Sequence, residues 1–188
     1  MSDPFFFGYG SLVNRRTHGY GEAYAARVSG WRRVWRHTHL RPAAFLSVEP
    51  APGVEIEGLI AAVPGGDWRS LDARERGYER QALTAGLAHA ATRPVAAEIY
   101  AVAARHAAEP GCRHPILLSY VDVVVQGYLR EFGEAGVERF FATTSGWEAP
   151  VLDDRAQPVY PRAQVLSARE RGLVEAALAA LGVTVLGR

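Results

Sequence analysis

The chain has 188 residues, 48% hydrophobic and 22% charged, which suits one soluble domain with a sizeable core. A formal net charge of +1 supplies no global field for nucleic acid or an anionic membrane, and no apolar run approaches the roughly 20 residues that span a bilayer. All 21 basic residues are arginine, so a lysine Schiff base and a lysine-dependent phosphate loop are excluded. The opening Met1-Ser2-Asp3-Pro4 has no basic leader pattern, and the lone Cys112 has no internal disulfide partner. Both point to a reducing cytoplasm.

Phe5, Phe6 and Phe7 form a buried-strand run that breaks at Gly8-Tyr9-Gly10-Ser11-Leu12. Glycines there allow positive φ, and they let backbone amides approach a bound group beside the Ser11 hydroxyl. Residues 24–28 and 34–41 read as strands joined through Gly30-Trp31, followed by strands over 45–48 and 54–63 with Gly58 as a bulge. Pro64-Gly65-Gly66-Asp67 is a turn. A short helix over 68–76 follows, with Asp67 or Ser70 as its cap. Segments 81–90 and 95–103 pair as strands around Thr92-Arg93-Pro94, although their alanine content suits helices equally well.

After a loop at Glu109-Pro110-Gly111-Cys112, the spacing of Ile116, Tyr120, Val123, Val124 and Tyr128 predicts a helix that fades near Gly133. Residues 137–142 form another short helix, and 147–161 are irregular. Ser167 and Glu170 make a capping box for a last helix with Leu173, Val174, Ala177, Leu178 and Leu181 on its apolar face, stopped at Gly182. The order gives one α+β domain, residues 1–188, with a curved sheet or barrel followed by packing helices.

Leu71-Asp72-Ala73-Arg74-Glu75-Arg76-Gly77-Tyr78-Glu79-Arg80 sets three carboxylates among three arginines just before a strand. A solvated turn explains such a run. So does a general base, because desolvation raises a carboxyl from about 4.3 toward neutrality. Asp72 suits a turn cap, and Glu79 a pair with Arg80. His37 and His39 share a strand face without a third metal ligand, so they read as structural or solvent-facing. Arg32, Arg33, Arg36 and Arg41 with Trp31 and Trp35 read as a wet strand face, and Arg36 or Arg41 suits a substrate carboxylate. Tyr160, in Pro158-Val159-Tyr160-Pro161-Arg162, either packs or closes a pocket. Cys112 lacks a base partner and reads as an ordinary thiol.

Phe7-Gly8-Tyr9-Gly10-Ser11-Leu12 resembles the Tyr-Gly-Ser-Leu loop of the γ-glutamylcyclotransferase family, especially its ChaC-like bacterial members. Ala26-Arg27-Val28-Ser29-Gly30-Trp31-Arg32-Arg33-Val34-Trp35 resembles a second segment of those proteins. Residues 71–78 resemble their Leu-Asp-x-Arg-Glu segment with a Gly-Tyr after it, although one glycine, Gly77, stands where close relatives often have two. Ser119-Tyr120-Val121-Asp122 and Gly127 are similar more loosely. The resemblance implies a small mixed β-barrel flanked by helices. It also implies cyclisation of a γ-glutamyl group to 5-oxoproline, with Glu75 as acid/base, Tyr9, Gly10, Ser11 and Leu12 binding the γ-glutamyl moiety, and no metal or other cofactor. Glutathione heads the implied substrates, before other γ-glutamyl peptides and amines. The implied partner is a small molecule, and the protein a monomer or homodimer. Deprotection of a carrier-bound γ-glutamyl group and a non-enzymatic binding module are the alternatives.

Overall fold

The structure, a computed structural model, describes residues 3–109 and 113–187. Pro110, Gly111 and Cys112 lie outside the described residues, and with them most of the predicted loop and the thiol.

Strand β1 (Phe5–Gly8) is buried at every position. It lies between β3 (Phe45–Ala62), antiparallel, and β6 (Ala97–Val102), parallel. Alternation decides what each phenylalanine meets. Phe5 and Phe7 join the main core, shared with Val121, Val124, Val125 and Tyr128 of helix α2 (Leu118–Ala142). Phe6 faces the other way, onto Leu71 of helix α1 (Arg69–Arg74) and Tyr100 of β6. A strand covered by helices on both faces accommodates three consecutive aromatic residues.

The two strand pairs read across 24–63 are in fact two long strands. β2 (Ala23–Arg36) runs against β3 over its whole length, with one register shift between Ser29 and Trp31. Gly30 takes φ +84° at that bulge, so the irregularity falls there and not at Gly58. Gly58 pairs regularly with Ala26. It is glycine because a Cβ would overlap the Gly8 carbonyl oxygen and the Phe7 ring. β2 ends at Arg36; beyond it only Thr38 bridges, to Ala107.

The expected barrel is not formed. The sheet runs β4 (Tyr78–Ala82), β6, β1, β3, β2, β5 (Leu87–His89), with β8 (Thr144–Ser145) also on β2. Among the described residues β4 pairs only with β6, and β5 only with β2, so the two ends do not meet. The β4 edge is blunted by charge: Glu79 pairs with Arg105, not Arg80, and Arg80 reaches Asp72 and Glu98. Segments 81–90 and 95–103 therefore pair through Gln81 and Ala82, with one further bond from the Leu83 amide to the Ala97 carbonyl, since the chain leaves β4 to place β5 on β2.

α1 starts from Trp68 without a side-chain cap; the Asp67 carboxylate instead accepts from the Arg69 amide and pairs with its guanidinium. Asp72 is no cap either, since it accepts the Tyr100 hydroxyl at 2.6 Å. Ile116 belongs to β7 (Ile116–Leu117), and α2 begins after it. Gly133, at φ +69°, kinks α2, and 137–142 form its second limb. β7 builds a second, three-stranded sheet with β9 (Val151–Asp153) and β10 (Val185–Gly187). Both capping-box bonds are present at α3 (Ala168–Ala180), which buries Val174 and Leu178. No helix among the described residues is long and apolar enough to cross a membrane.

Candidate active site

The 9–12 loop leaves β1 and turns at once into a short 3-10 helix, Ser11–Val13. Neither Gly8 nor Gly10 takes a positive φ. Gly10 is required by close approach, because a Cβ there would overlap the Tyr120 hydroxyl. The Ser11 amide donates to the Tyr120 hydroxyl oxygen. The loop is held from several sides. Tyr9 donates its hydroxyl to the Tyr100 carbonyl at 2.6 Å. Its own carbonyl accepts from the Arg33 Nε at 3.1 Å and faces the Tyr128 hydroxyl at 2.9 Å. Asn14 donates to the Val123 carbonyl and to Gln126 on α2, where Gly127 lets the helix approach, since a Cβ would lie 2.7 Å from the Asn14 nitrogen.

Arg33, predicted on the wet face of β2, is 1% exposed. Its guanidinium donates to the Thr143 hydroxyl at 2.7 Å, to the Glu57 carbonyl and to the Tyr128 hydroxyl. It also lies 5.0 Å from the Tyr128 ring centroid. Neutral acceptors and ring faces compensate this buried charge.

Glu75 stands at the C-terminal end of α1, anchored by Leu71, which is fully buried. Gly77, at φ +98°, turns the chain from there into β4, and the Tyr78 hydroxyl donates to the Leu46 carbonyl at 2.9 Å. The Arg74 Nε contacts the Glu75 carboxylate at 3.1 Å. The same guanidinium donates to the Ser11 hydroxyl at 3.3 Å and to the Thr17 carbonyl at 2.8 Å. One arginine therefore ties the carboxylate to the glycine loop. Burial pushes the Glu75 carboxyl above the ordinary range, against the pull of Arg74, Arg162 and Arg41. Burial also raises Tyr9, Tyr78 and Tyr120, so all three phenols stay protonated at neutral pH.

Loop and carboxylate line one cleft. A small slot, about 30 Å³, lies between Gly8, Tyr9, Gly10, Ser11, Glu75 and Tyr120, room for a carboxylate group or a water or two. Outside it a cavity of about 500 Å³ shares Ser11, Glu75, Tyr78 and Tyr120 and adds Arg41, Tyr160 and Arg162.

A family profile described as "Gamma-glutamyl cyclotransferase, AIG2-like" matches residues 6–138. The chain belongs to this family. A solved structure titled "Gamma-glutamyl cyclotransferase" has a TM-score of 0.58 and 14% identity, over 94% of this chain and 99% of that one. An uncharacterized protein from Homo sapiens gives a TM-score of 0.58 and 14% identity, over 93% and 99%. YkqA from Bacillus subtilis gives 0.50 and 18%, over 78% and 57%. At these identities the structures share the fold. A comparison with curated proteins gave no match.

Within this member of the cyclotransferase family, the residues singled out in sequence divide. Tyr9, Gly10, Ser11, Leu12 and Glu75 come together at the slot, while Tyr160 and Arg41 line the outer cavity. Arg36 does not, because it pairs with Glu49 beside Arg32. His37 and His39 part company: the first accepts from the His114 amide and the second stacks near His106. No metal-ligand cluster occurs among the described residues.

Tyr78, Tyr100, Tyr120, Arg74 and Arg162 were not assigned to the site from sequence. Arg74 and Tyr78 stand within the Glu75 motif and are legible by adjacency. Tyr120 and Arg162 arrive only through a tertiary device. Buried Asp154 accepts from the Ser119 amide and hydroxyl and from the Val159 amide, all within 2.8 Å. This clamps the start of α2 to the 154–162 turn. Tyr160 then meets Tyr120 edge-on at 5.0 Å.

Proposed function

We propose that this protein is a γ-glutamylcyclotransferase that releases 5-oxoproline from a small γ-glutamyl substrate in the cytoplasm, with Glu75 as general acid/base. The carrying observation is the Arg74 bridge, which joins a largely buried carboxylate to the Ser11 loop within one slot. Family membership supports the reaction class. The Glu75 carboxylate takes a proton from the α-ammonium, and the freed amine attacks the γ-carbonyl, forming the ring C–N bond. Glu75 returns this proton to the departing nitrogen as the original C–N bond breaks, then takes the remaining extra proton from the ring nitrogen and passes it to the released amine. A carboxyl raised by burial is closer to neutrality and serves both transfers.

Nucleophile and electrophile belong to one molecule, so the protein's part is to bind and to orient. Holding a near-attack conformer contributes up to about 7–11 kcal/mol. The Gly10 and Leu12 amides and the Ser11 hydroxyl suit substrate oxygens, and one donor on the developing oxyanion supplies about 3–4 kcal/mol. The protonated Tyr120 and Tyr78 phenols wall the slot without adding negative charge. A pure binding module gains nothing from a desolvated carboxylate at the slot, which favours the enzymatic reading.

The test is mass-spectrometric detection of 5-oxoproline across glutathione, other γ-glutamyl peptides, γ-glutamyl amines and a carrier-bound γ-glutamyl thioester. Turnover that Glu75→Gln lowers by at least about 100-fold is expected. No product from any substrate refutes the assignment.

A further inference from the structure

The outer cavity gathers arginines that hold no ion pair among the described residues. Many other arginines of the molecule do: Arg15 has Glu131, Arg93 has Glu22, Arg155 has Asp122 and Arg169 has Glu134. At the cavity, Arg41, Arg76 and Arg162 pair with no carboxylate among the described residues. They come from separate parts of the chain: the approach to β3, the turn after α1 and the turn after β9. Arg41 is stacked on Phe45, its guanidinium carbon 4.1 Å from the ring centroid, which fixes the head group at the wall. Arg162 is half-buried and follows the clamped Tyr160. Arg41 and Arg162 line the same cavity as Glu75, and their positive charge pulls its carboxyl down against burial. The inner arginine, Arg74, is already engaged by Glu75, Ser11 and Thr17.

We infer that the outer cavity is a leaving-group subsite that selects an anionic leaving group, with Arg41 and Arg162 receiving a carboxylate on the released amine. This rests on the cyclotransferase reading and specifies its substrate: γ-glutamyl amino acids and peptides with a free carboxylate, in preference to γ-glutamyl amines. The slot is too small for more than one end of the substrate, and about 500 Å³ outside it accommodates the remainder of a peptide. Guanidinium groups match a carboxylate in a two-pronged fork, and a concave wall concentrates their field. A neutral or cationic leaving group leaves those charges uncompensated, or is repelled by them.

Binding and turnover of γ-glutamyl-alanine and γ-glutamyl-alaninamide, which differ only in the terminal carboxylate, test this. In the Glu75→Gln protein, calorimetry should give about 10- to 100-fold tighter binding of the carboxylate form, the scale of charge-assisted hydrogen bonds. Adding Arg41→Gln and Arg162→Gln should shrink that preference to within about threefold, with the melting temperature checked alongside. Equal binding of the two ligands, no binding of either, or a preference that survives both substitutions overturns the inference. Turnover of the wild-type protein separates the two levels. Equal release of 5-oxoproline from both substrates sinks the subsite and leaves the cyclotransferase reading standing. A binding preference without any product upholds the subsite as a carboxylate-selective site and refutes the reaction.

Discussion

At the residue scale, Glu75 is held between two opposing influences, burial and the neighbouring arginines, and burial prevails. A carboxyl raised in the folded state binds more protons there than in the unfolded chain, so its contribution to stability falls as pH rises through the folded value. Glu75→Gln should therefore be at least as stable as wild type at neutral pH, while losing activity. The gap should close as pH falls toward the ordinary carboxylate range. Urea titrations at two pH values check this, and a Gln variant markedly less stable at pH 7 would contradict it. The same direction sets the acid limb of the rate: kcat/KM should fall at a higher pH than an unperturbed glutamate predicts. Arg33 acts at one remove. Arg33→Met leaves the Tyr9 and Glu57 carbonyls to share the single Tyr128 hydroxyl proton. With one buried carbonyl then unsatisfied, the loss should be about 1–3 kcal/mol in denaturant unfolding. Arg33→Lys, which keeps the charge without the fork, should restore only part of it.

At the scale of elements, β1 and β3 cross the site at a point where no side chain fits. Gly58→Ala would force its methyl against the Gly8 carbonyl and the Phe7 ring. Overpacking of this kind costs about 1–3 kcal/mol, which for a chain this long lowers the melting midpoint by roughly 2–12 °C. An unchanged midpoint would mean that the sheet yields more easily than this packing implies. Gly58 also marks what the sequence withheld. Its role depends on a partner fifty residues earlier, so local reading made it a bulge, whereas Gly30, whose positive φ is a local property, is the true one. The triple phenylalanine and the Ser167–Glu170 cap were legible for the converse reason, since strand alternation and helix capping are encoded within a few residues. Glu75 and the 9–12 loop were recognisable as two motifs. Arg33 was misread because alternation along β2 cannot tell a wet face from one covered by α2 and lined with acceptors.

At the scale of the whole molecule, the open sheet leaves β4 as a charged edge, and the core closes through α2 instead of through strand pairing. Acid sensitivity should follow from the buried periphery of the site. His18 is held down to about 4 by burial, with its Nε2 3.0 Å from the Leu12 carbonyl. A depressed histidine contributes stability that is intact above about 6.5 and is lost as pH falls toward 4, on the order of 3 kcal/mol in all. Glu75 works in the opposite sense and offsets part of this loss. His18→Gln should flatten the pH–stability profile between those limits, and an equally steep profile in the variant would assign the acid loss elsewhere. The central claim concerns chemistry and is met most directly by one measurement: release of 5-oxoproline from γ-glutamyl peptides by wild-type protein and by Glu75→Gln. The account predicts product from the wild type and a loss of at least about 100-fold in the variant. Equal release by the two proteins would contradict it.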